Sequence, residues 1–158
     1  MVIYAGHRAR PAAKQMRVKF HKILCPVQFE QNSAVALHLA FELAQPNSRI
    51  YLLHVIPEGD AESHASTQEL ARECLEDFAR EQPASDIKPD LLVRSGDPAE
   101  VIVNLANELQ VDIIVMATHG HKGFTRLLLG SVAERVLREA RQPVLTLRPE
   151  IQVQPRSA

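Results

Sequence analysis

The chain has few aromatic residues, few cysteines and no long apolar stretch, and each shortage excludes a class of protein. It contains no tryptophan and is only 4% aromatic, so its core must be built from aliphatic side chains and alanine. Two cysteines, Cys25 and Cys74, give neither a disulfide framework nor a zinc pattern, which favours a reducing cytoplasm. Apolar runs such as 111–117 fall well short of the roughly 20 residues that span a membrane. We therefore expect one cytoplasmic domain without a membrane segment.

Several sequence motifs of enzymes are also missing. The chain has no G-x-x-x-x-G-K-[ST], no G-x-S-x-G and no G-x-G-x-x-G, which excludes a P-loop, a nucleophile elbow and a dinucleotide fingerprint. No paired carboxylates or nucleophile–base pair can be assigned from spacing. His119 and His121 lack a third metal ligand. We predict no catalytic residue and no metal site, and therefore no fast turnover.

Charge is distributed unevenly along the chain. The net charge is −1, yet residues 1–29 carry six basic residues and no acidic one. The rest lacks a basic stripe with interleaved aromatics, so we expect no binding to nucleic acid. We predict a basic, flexible extension over 1–18, one domain over 19–149 and a tail over 150–158. Whether residues 1–15 belong to the native protein, or reflect a start upstream of Met16, stays open.

Strand and helix patterns alternate from Phe20 to Leu147, which is typical of βαβ units. Three helices are predicted with N-caps at Asn32 or Ser33, at Asp97 and at Ser131. A longer helix is predicted over 61–82. Strands are predicted at 22–27, 50–56, 91–94, 111–117 and 144–147. Right-handed crossovers would order them 3-2-1-4-5, a flavodoxin-like α/β three-layer sandwich with a five-stranded parallel sheet.

The segment after the fourth strand has the form of an anion-binding loop. The strand 111–117 runs into THGHKGFTRLLLGS, and helical spacing resumes at Ser131. Backbone N–H groups near Gly120, Gly130 and Ser131 could hold a phosphate. Neighbours of that phosphate would be His119, His121, Lys122 and Arg126. Ser131 with Glu134 also forms a capping box that ends the helix without any ligand, so both interpretations stay open.

The spacing A-x2-G-x9-G-S from Ala117 to Ser131 resembles the G-x2-G-x9-G-(S/T) loop of the universal stress protein (UspA-like) family. The resemblance extends from about residue 19 to 148, through KILCPVQF, IYLLHVIPEG, VRSGDPAEVIVNLA, LLLGSVAERVL and QPVLTLRP. It implies a stress-response domain that forms a homodimer through its fifth strand. In ATP-binding members the nucleotide lies across the ends of the first and fourth strands.

The resemblance also implies a set of ATP contacts, with Mg²⁺ accompanying the nucleotide. Adenine and ribose would lie against Pro26, Val27, Gln28, Val55 and Met116, and the phosphates against Ala117, Gly120, Gly130, Ser131 and Val132. The chain departs from the pattern twice, with Gln28 where a ribose-binding Asp is usual and Ala117 in place of the first loop glycine. We predict an ATP-binding regulatory protein with unidentified protein partners. The alternatives are an interaction module of the same fold without nucleotide and a slow ATP-hydrolysing enzyme.

Overall fold

The computed structural model describes residues 20–29, 31–58, 64–82, 86–118 and 130–147. Strands and helices alternate along the chain as β1 (Phe20–Pro26), α1 (Gln31–Leu43), β2 (Ala44–Ile56), α2 (His64–Arg80), β3 (Asp90–Ser95), α3 (Pro98–Leu109), β4 (Ile113–Ala117), α4 (Ser131–Glu139) and β5 (Val144–Leu147). Neighbouring strands pair in parallel in the order β3-β2-β1-β4-β5. The predicted fold class and strand order are confirmed.

Apolar side chains fill both faces of the sheet, as a parallel sheet covered by helices requires. One face packs against α1 and α2, through Ile23, Cys25, Leu52 and Val115 against Leu37, Ala40, Leu75 and Phe78. The opposite face packs against α3 and α4, through Leu24, Leu53, Ile114 and Met116 against Ile102, Leu105, Ala133 and Val136. Three central strands are therefore enclosed on both sides, and only their ends can reach a ligand.

The first helix begins earlier than predicted. It starts at Gln31, so neither Asn32 nor Ser33 is its N-cap and that prediction is wrong. Ser33 is instead a buried residue inside the first turn, and its Oγ accepts a hydrogen bond from the backbone N–H of Gln28 at 3.0 Å. The hydroxyl stabilises the loop before the helix rather than the helix end.

The second strand also begins earlier than predicted, at Ala44 rather than residue 50. Its first residues follow α1 directly and pair with the start of β1 across an irregularity in the register. Asn47 takes a positive φ of 67° there. Ser48 Oγ accepts from Gln45 N–H and donates to the Phe20 carbonyl, both at 2.8 Å. The segment Gln45-Pro46-Asn47, which follows the end of α1 at Leu43, therefore lies within β2.

Two acidic residues stabilise the ends of elements, and Asp97 does so as predicted. Asp97 is the N-cap of α3, and its side chain accepts from the Glu100 N–H at 2.9 Å, with Pro98 at the first helical position. Asp112 precedes β4 and accepts from the N–H groups of His21 and Lys22 at 2.6 and 2.9 Å. Asp112 thus joins the amino ends of β1 and β4, at the edge of the sheet opposite the predicted site.

Other predictions concern single elements and residues. The second helix is described from His64 to Arg80, and residues 59–63, where its start was predicted, lie outside the described part of the chain. Cys25 is fully buried, and burial raises the pKa of its thiol to about 12, whereas Cys74 is exposed. Within the described residues, no helix is long and apolar enough to cross a membrane.

Candidate functional site

A cleft of about 360 Å³ lies at the carboxyl ends of β1 and β4. These two strands are neighbours, but α1 leaves β1 toward one face of the sheet and α4 leaves β4 toward the other. Such a switch point is where open α/β sheets bind ligands. The cleft is lined by Pro26, Val27, Gln28, Asn32, Ser33, Leu53, Val55, Pro98, Ile102, Met116, Ala117, Thr118, Gly130, Ser131, Val132 and Ala133.

The structure brings nine of the predicted contact residues to this one cleft. They are Pro26, Val27, Gln28, Val55, Met116, Ala117, Gly130, Ser131 and Val132. The tenth, Gly120, lies outside the described residues, as do His119, His121, Lys122 and Arg126. The nine come from four separate parts of the chain, and only the sheet order places them together.

Seven lining residues were not predicted, namely Asn32, Ser33, Leu53, Pro98, Ile102, Thr118 and Ala133. Most lie in the first turns of α1, α3 and α4 or next to a predicted residue. A signal for them was available, because each helix that follows a parallel strand begins at the carboxyl edge of the sheet. The predicted helix starts could therefore have been added to the site.

Three contacts hold the segment between β1 and α1 in place. Val27 N–H donates to the Leu53 carbonyl at 2.8 Å, and His54 Nδ1 lies 3.1 Å from the Val27 carbonyl. Because a carbonyl only accepts, Nδ1 must carry the proton in this contact. Phe29, with a positive φ of 45°, stacks on the His54 ring with centroids 4.2 Å apart. These contacts fix the backbone that presents Val27 and Gln28 to the cleft.

Burial changes the protonation of His54. The ring is half-buried, and loss of hydration lowers its pKa below the usual value, while the hydrogen bond to the Val27 carbonyl opposes that shift only in part. The neutral imidazole is therefore favoured. This agrees with the general rule that a histidine within an apolar strand is usually a core residue.

The first turn of α4 faces the cleft, and its N-cap residue supplies no side-chain cap. The helix does begin at Ser131, but its N-cap is Gly130, so the predicted Ser131–Glu134 capping box is wrong. The Gly130 carbonyl accepts the first helical bond from Glu134 N–H at 3.0 Å. The N–H groups of the first turn have no partner within the helix, and the positive end of the helix dipole lies beside the cleft.

At the end of β4, the alanine that replaces the loop glycine is not strained. Positive φ among the described non-glycine residues occurs at Phe29, Asn47 and Gln110, and Ala117 is not one of them. Ala117 is instead the last residue of β4, paired with Leu147 of β5. In this conformation the backbone has no need of glycine, and the methyl group is the only change that Ala117 brings to the cleft.

The described lining combines apolar surface with neutral polar groups. It contains no Asp, Glu, Lys, Arg or His among the residues that the structure describes. Its polar side chains are Gln28, Asn32, Ser33, Thr118 and Ser131. Such a surface can hold an apolar ring on one side and an anionic group at the helix N-terminus on the other.

Fold and cleft together define a parallel α/β protein with a ligand-sized cleft at its switch point. The sequence pattern of the universal stress protein family matches residues 19–148. The chain therefore belongs to the universal stress protein family.

Relatives of known name and structure are similar over most of the chain. Universal stress protein MJ0577 of Methanocaldococcus jannaschii is 30% identical over 84% of this chain and 98% of the relative, and its solved structure has a TM-score of 0.73 with 84% and 99% coverage. Universal stress protein YxiE of Bacillus subtilis is 29% identical, over 82% of this chain and 99% of the relative. A universal stress protein solved in complex with cAMP, 22% identical, has a TM-score of 0.59, with coverage of 82% and 98%, and shares the fold.

Proposed function

We propose that this universal stress protein binds ATP in the cleft between β1 and β4 and acts as a regulatory protein. The observation that carries the proposal is the N-terminus of α4, where the N-cap Gly130 has no side chain to bond the first-turn N–H groups beside the cleft. A phosphate bound there would receive hydrogen bonds from the backbone and a favourable interaction with the helix dipole. A side chain at position 130 would obstruct that approach.

The remaining lining suits an adenosine. Val27, Val55 and Met116 offer apolar surface for the base, and Gln28 would hydrogen-bond the ribose. The N–H groups of Ser131 and Val132 would bind phosphate, with Mg²⁺ carried by the nucleotide. A triphosphate is strongly anionic, and the described part of the lining contains no carboxylate that would repel it.

We also propose that the protein forms a homodimer through β5. This strand is last in the sheet order, its four residues are half-buried, and three of them are apolar. Pro143 and Leu147 direct their carbonyls to β4, where they accept from Ile114 and Thr118 N–H groups. Backbone groups alternate along a strand, so those of Val144 and Thr146 point away from β4. A second copy could pair with them and cover the apolar edge.

A second candidate function is an interaction module that binds no nucleotide. Gln28 favours it, since an amide is a weaker acceptor for a ribose hydroxyl than a carboxylate. In either case we propose a cytoplasmic location and a regulatory role. If ATP is bound, we expect at most slow hydrolysis of it.

Thermal unfolding with and without magnesium-ATP tests the proposal. ATP at 100 times its dissociation constant should add about 2.7 kcal/mol to the free energy of unfolding. For a chain of this size the midpoint should rise by roughly 5–10 °C. AMP should give a smaller shift, because it places fewer phosphate oxygens near α4, and cAMP serves as a further adenine nucleotide for comparison. The interaction module would be favoured if millimolar ATP neither shifted the unfolding midpoint nor gave a binding signal in calorimetry.

A further inference from the structure

We infer that Thr118 links ATP occupancy of the cleft to the pairing edge of β5, an inference that rests on the proposed function. Thr118 follows the last residue of β4, lines the cleft and is only 4% exposed. Its backbone N–H and its Oγ1 both donate to the carbonyl oxygen of Leu147, at 2.8 and 3.0 Å. One buried residue thus borders the cleft and holds the end of β5.

The Thr118 hydroxyl cannot donate a hydrogen bond to the Leu147 carbonyl and to a phosphate at the same time. A threonine hydroxyl has one proton, and here the proton is donated to Leu147. Any group that contacts Oγ1 from the cleft therefore meets only its lone pairs. A phosphate oxygen is itself an acceptor, so it can bond to Oγ1 only if the hydroxyl rotates and donates to the phosphate instead.

The phosphate is the stronger competitor for that proton. A hydrogen bond to an ionised acceptor is roughly twice as strong as one to a neutral carbonyl. The Leu147 carbonyl also tolerates the loss, because the backbone N–H of Thr118 continues to donate to it. ATP binding should therefore remove one of the two hydrogen bonds that the Leu147 carbonyl accepts from Thr118.

Loss of this bond should weaken pairing at the outer edge. The strand β5 has only four residues, so Leu147 is one residue from Thr146, whose backbone groups point outward. A strand end that has lost one of its hydrogen bonds is less well ordered, and a second copy must then order it on pairing. Occupancy should consequently weaken the dimer, and by reciprocity the dimer should bind ATP more weakly than the monomer does.

Sedimentation of the full chain with and without magnesium-ATP measures this link. In the wild-type protein, ATP should raise the dimer dissociation constant about fivefold, at the low end of measured couplings. Thr118→Val keeps the shape but lacks the hydroxyl, so its dimer should already be as weak as the wild-type dimer with ATP, and ATP should not change it further. Thr118→Ser restores the hydroxyl and should restore the response.

Ser33→Ala is the matched control. It removes another buried cleft hydroxyl, but one whose partner is Gln28 N–H on the β1 side. Its ATP affinity should fall while the effect of ATP on the dimer is retained. A Thr118→Val dimer that responds to ATP like the wild type would overturn the inference, as would a wild-type chain that stays monomeric in both conditions.

Calorimetry separates this inference from the proposed function. If ATP binds to the wild type without changing its dimer constant, the link is wrong and the nucleotide site stands. If ATP does not bind at all, both fall. Should Thr118→Val fail to fold, the carbonyl ¹³C shift of Leu147 in the wild-type protein gives the same answer, since it should change on ATP addition as one hydrogen bond is lost. An unchanged shift would contradict the inference.

Discussion

Replacement of Gly130 by valine should separate ATP binding from folding. Gly130 has φ −54° and ψ 148°, an extended conformation that valine adopts readily. The fold should therefore persist. Valine is a poorer N-cap than glycine, and the expected cost is about 1 kcal/mol, or a fall of roughly 2–4 °C in the unfolding midpoint.

The effect on ATP should be much larger than the effect on stability. The valine side chain would stand between the phosphate and the N–H groups of the first turn of α4. A hydrogen bond to a charged group contributes about 1.5–3 kcal/mol, so losing two of them costs about 3–6 kcal/mol. Affinity should fall by at least about 100-fold, which calorimetry with magnesium-ATP would register as the disappearance of measurable binding.

Ala140→Val is the matched control for Gly130→Val. Ala140 is the C-cap of the same helix, with similar extended angles of −69° and 140°, and lies outside the cleft lining. It should leave the ATP dissociation constant unchanged. If Gly130→Val is folded and binds ATP with wild-type affinity, then α4 does not hold the phosphates and the site assignment fails.

Three further changes test the ribose contact, the histidine and the core. Gln28→Asp should strengthen ATP binding about fivefold, because a charged acceptor replaces a neutral one, and calorimetry showing weaker binding would reverse this account. Because folding lowers the pKa of His54, its contribution to stability should be complete above about pH 6.5 and decline as the pH falls toward the pKa of the folded state. The difference in urea stability between wild type and His54→Gln should therefore be larger at about pH 8 than at about pH 5, and the same difference at both pH values would contradict this account. Leu52→Ala, at a fully buried position, should cost about 3 kcal/mol in urea unfolding, whereas Leu70→Ala, 60% exposed, should cost little, and similar losses would refute the assigned core.

The strand order could be predicted from sequence because few arrangements satisfy the pattern. Short apolar runs separated by amphipathic helices require parallel strands, and right-handed crossovers reduce the possible orders to a few, of which 3-2-1-4-5 is one. Asp97 was also predictable, since its cap involves only the next three residues and a proline that can begin a helix. Both predictions depend on local chemistry or on a general rule of topology.

Three other contacts could not be predicted in this way. Ser131 and Glu134 satisfy the capping pattern, yet the helix can also begin with Gly130 as the N-cap, and the pattern does not distinguish the two. Ser33 bonds to a loop N–H five residues earlier, which requires the particular turn of the β1–α1 segment. Thr118 bonds to Leu147, 29 residues away, and that partner is known only once β4 and β5 are paired.

The two departures from the family pattern have different weight once the backbone is known. Ala117 ends β4 with an ordinary φ, so the replaced glycine does not strain the loop in this conformation. Gln28 is different, because its backbone N–H is already fixed by Ser33 Oγ at 3.0 Å, and a change of side chain should leave its position the same. Any difference in ATP affinity between Gln28 and an aspartate would then arise from the chemistry of the side chain rather than from a moved loop. The choice between an ATP-binding protein and a nucleotide-free module therefore depends more on residue 28 than on residue 117.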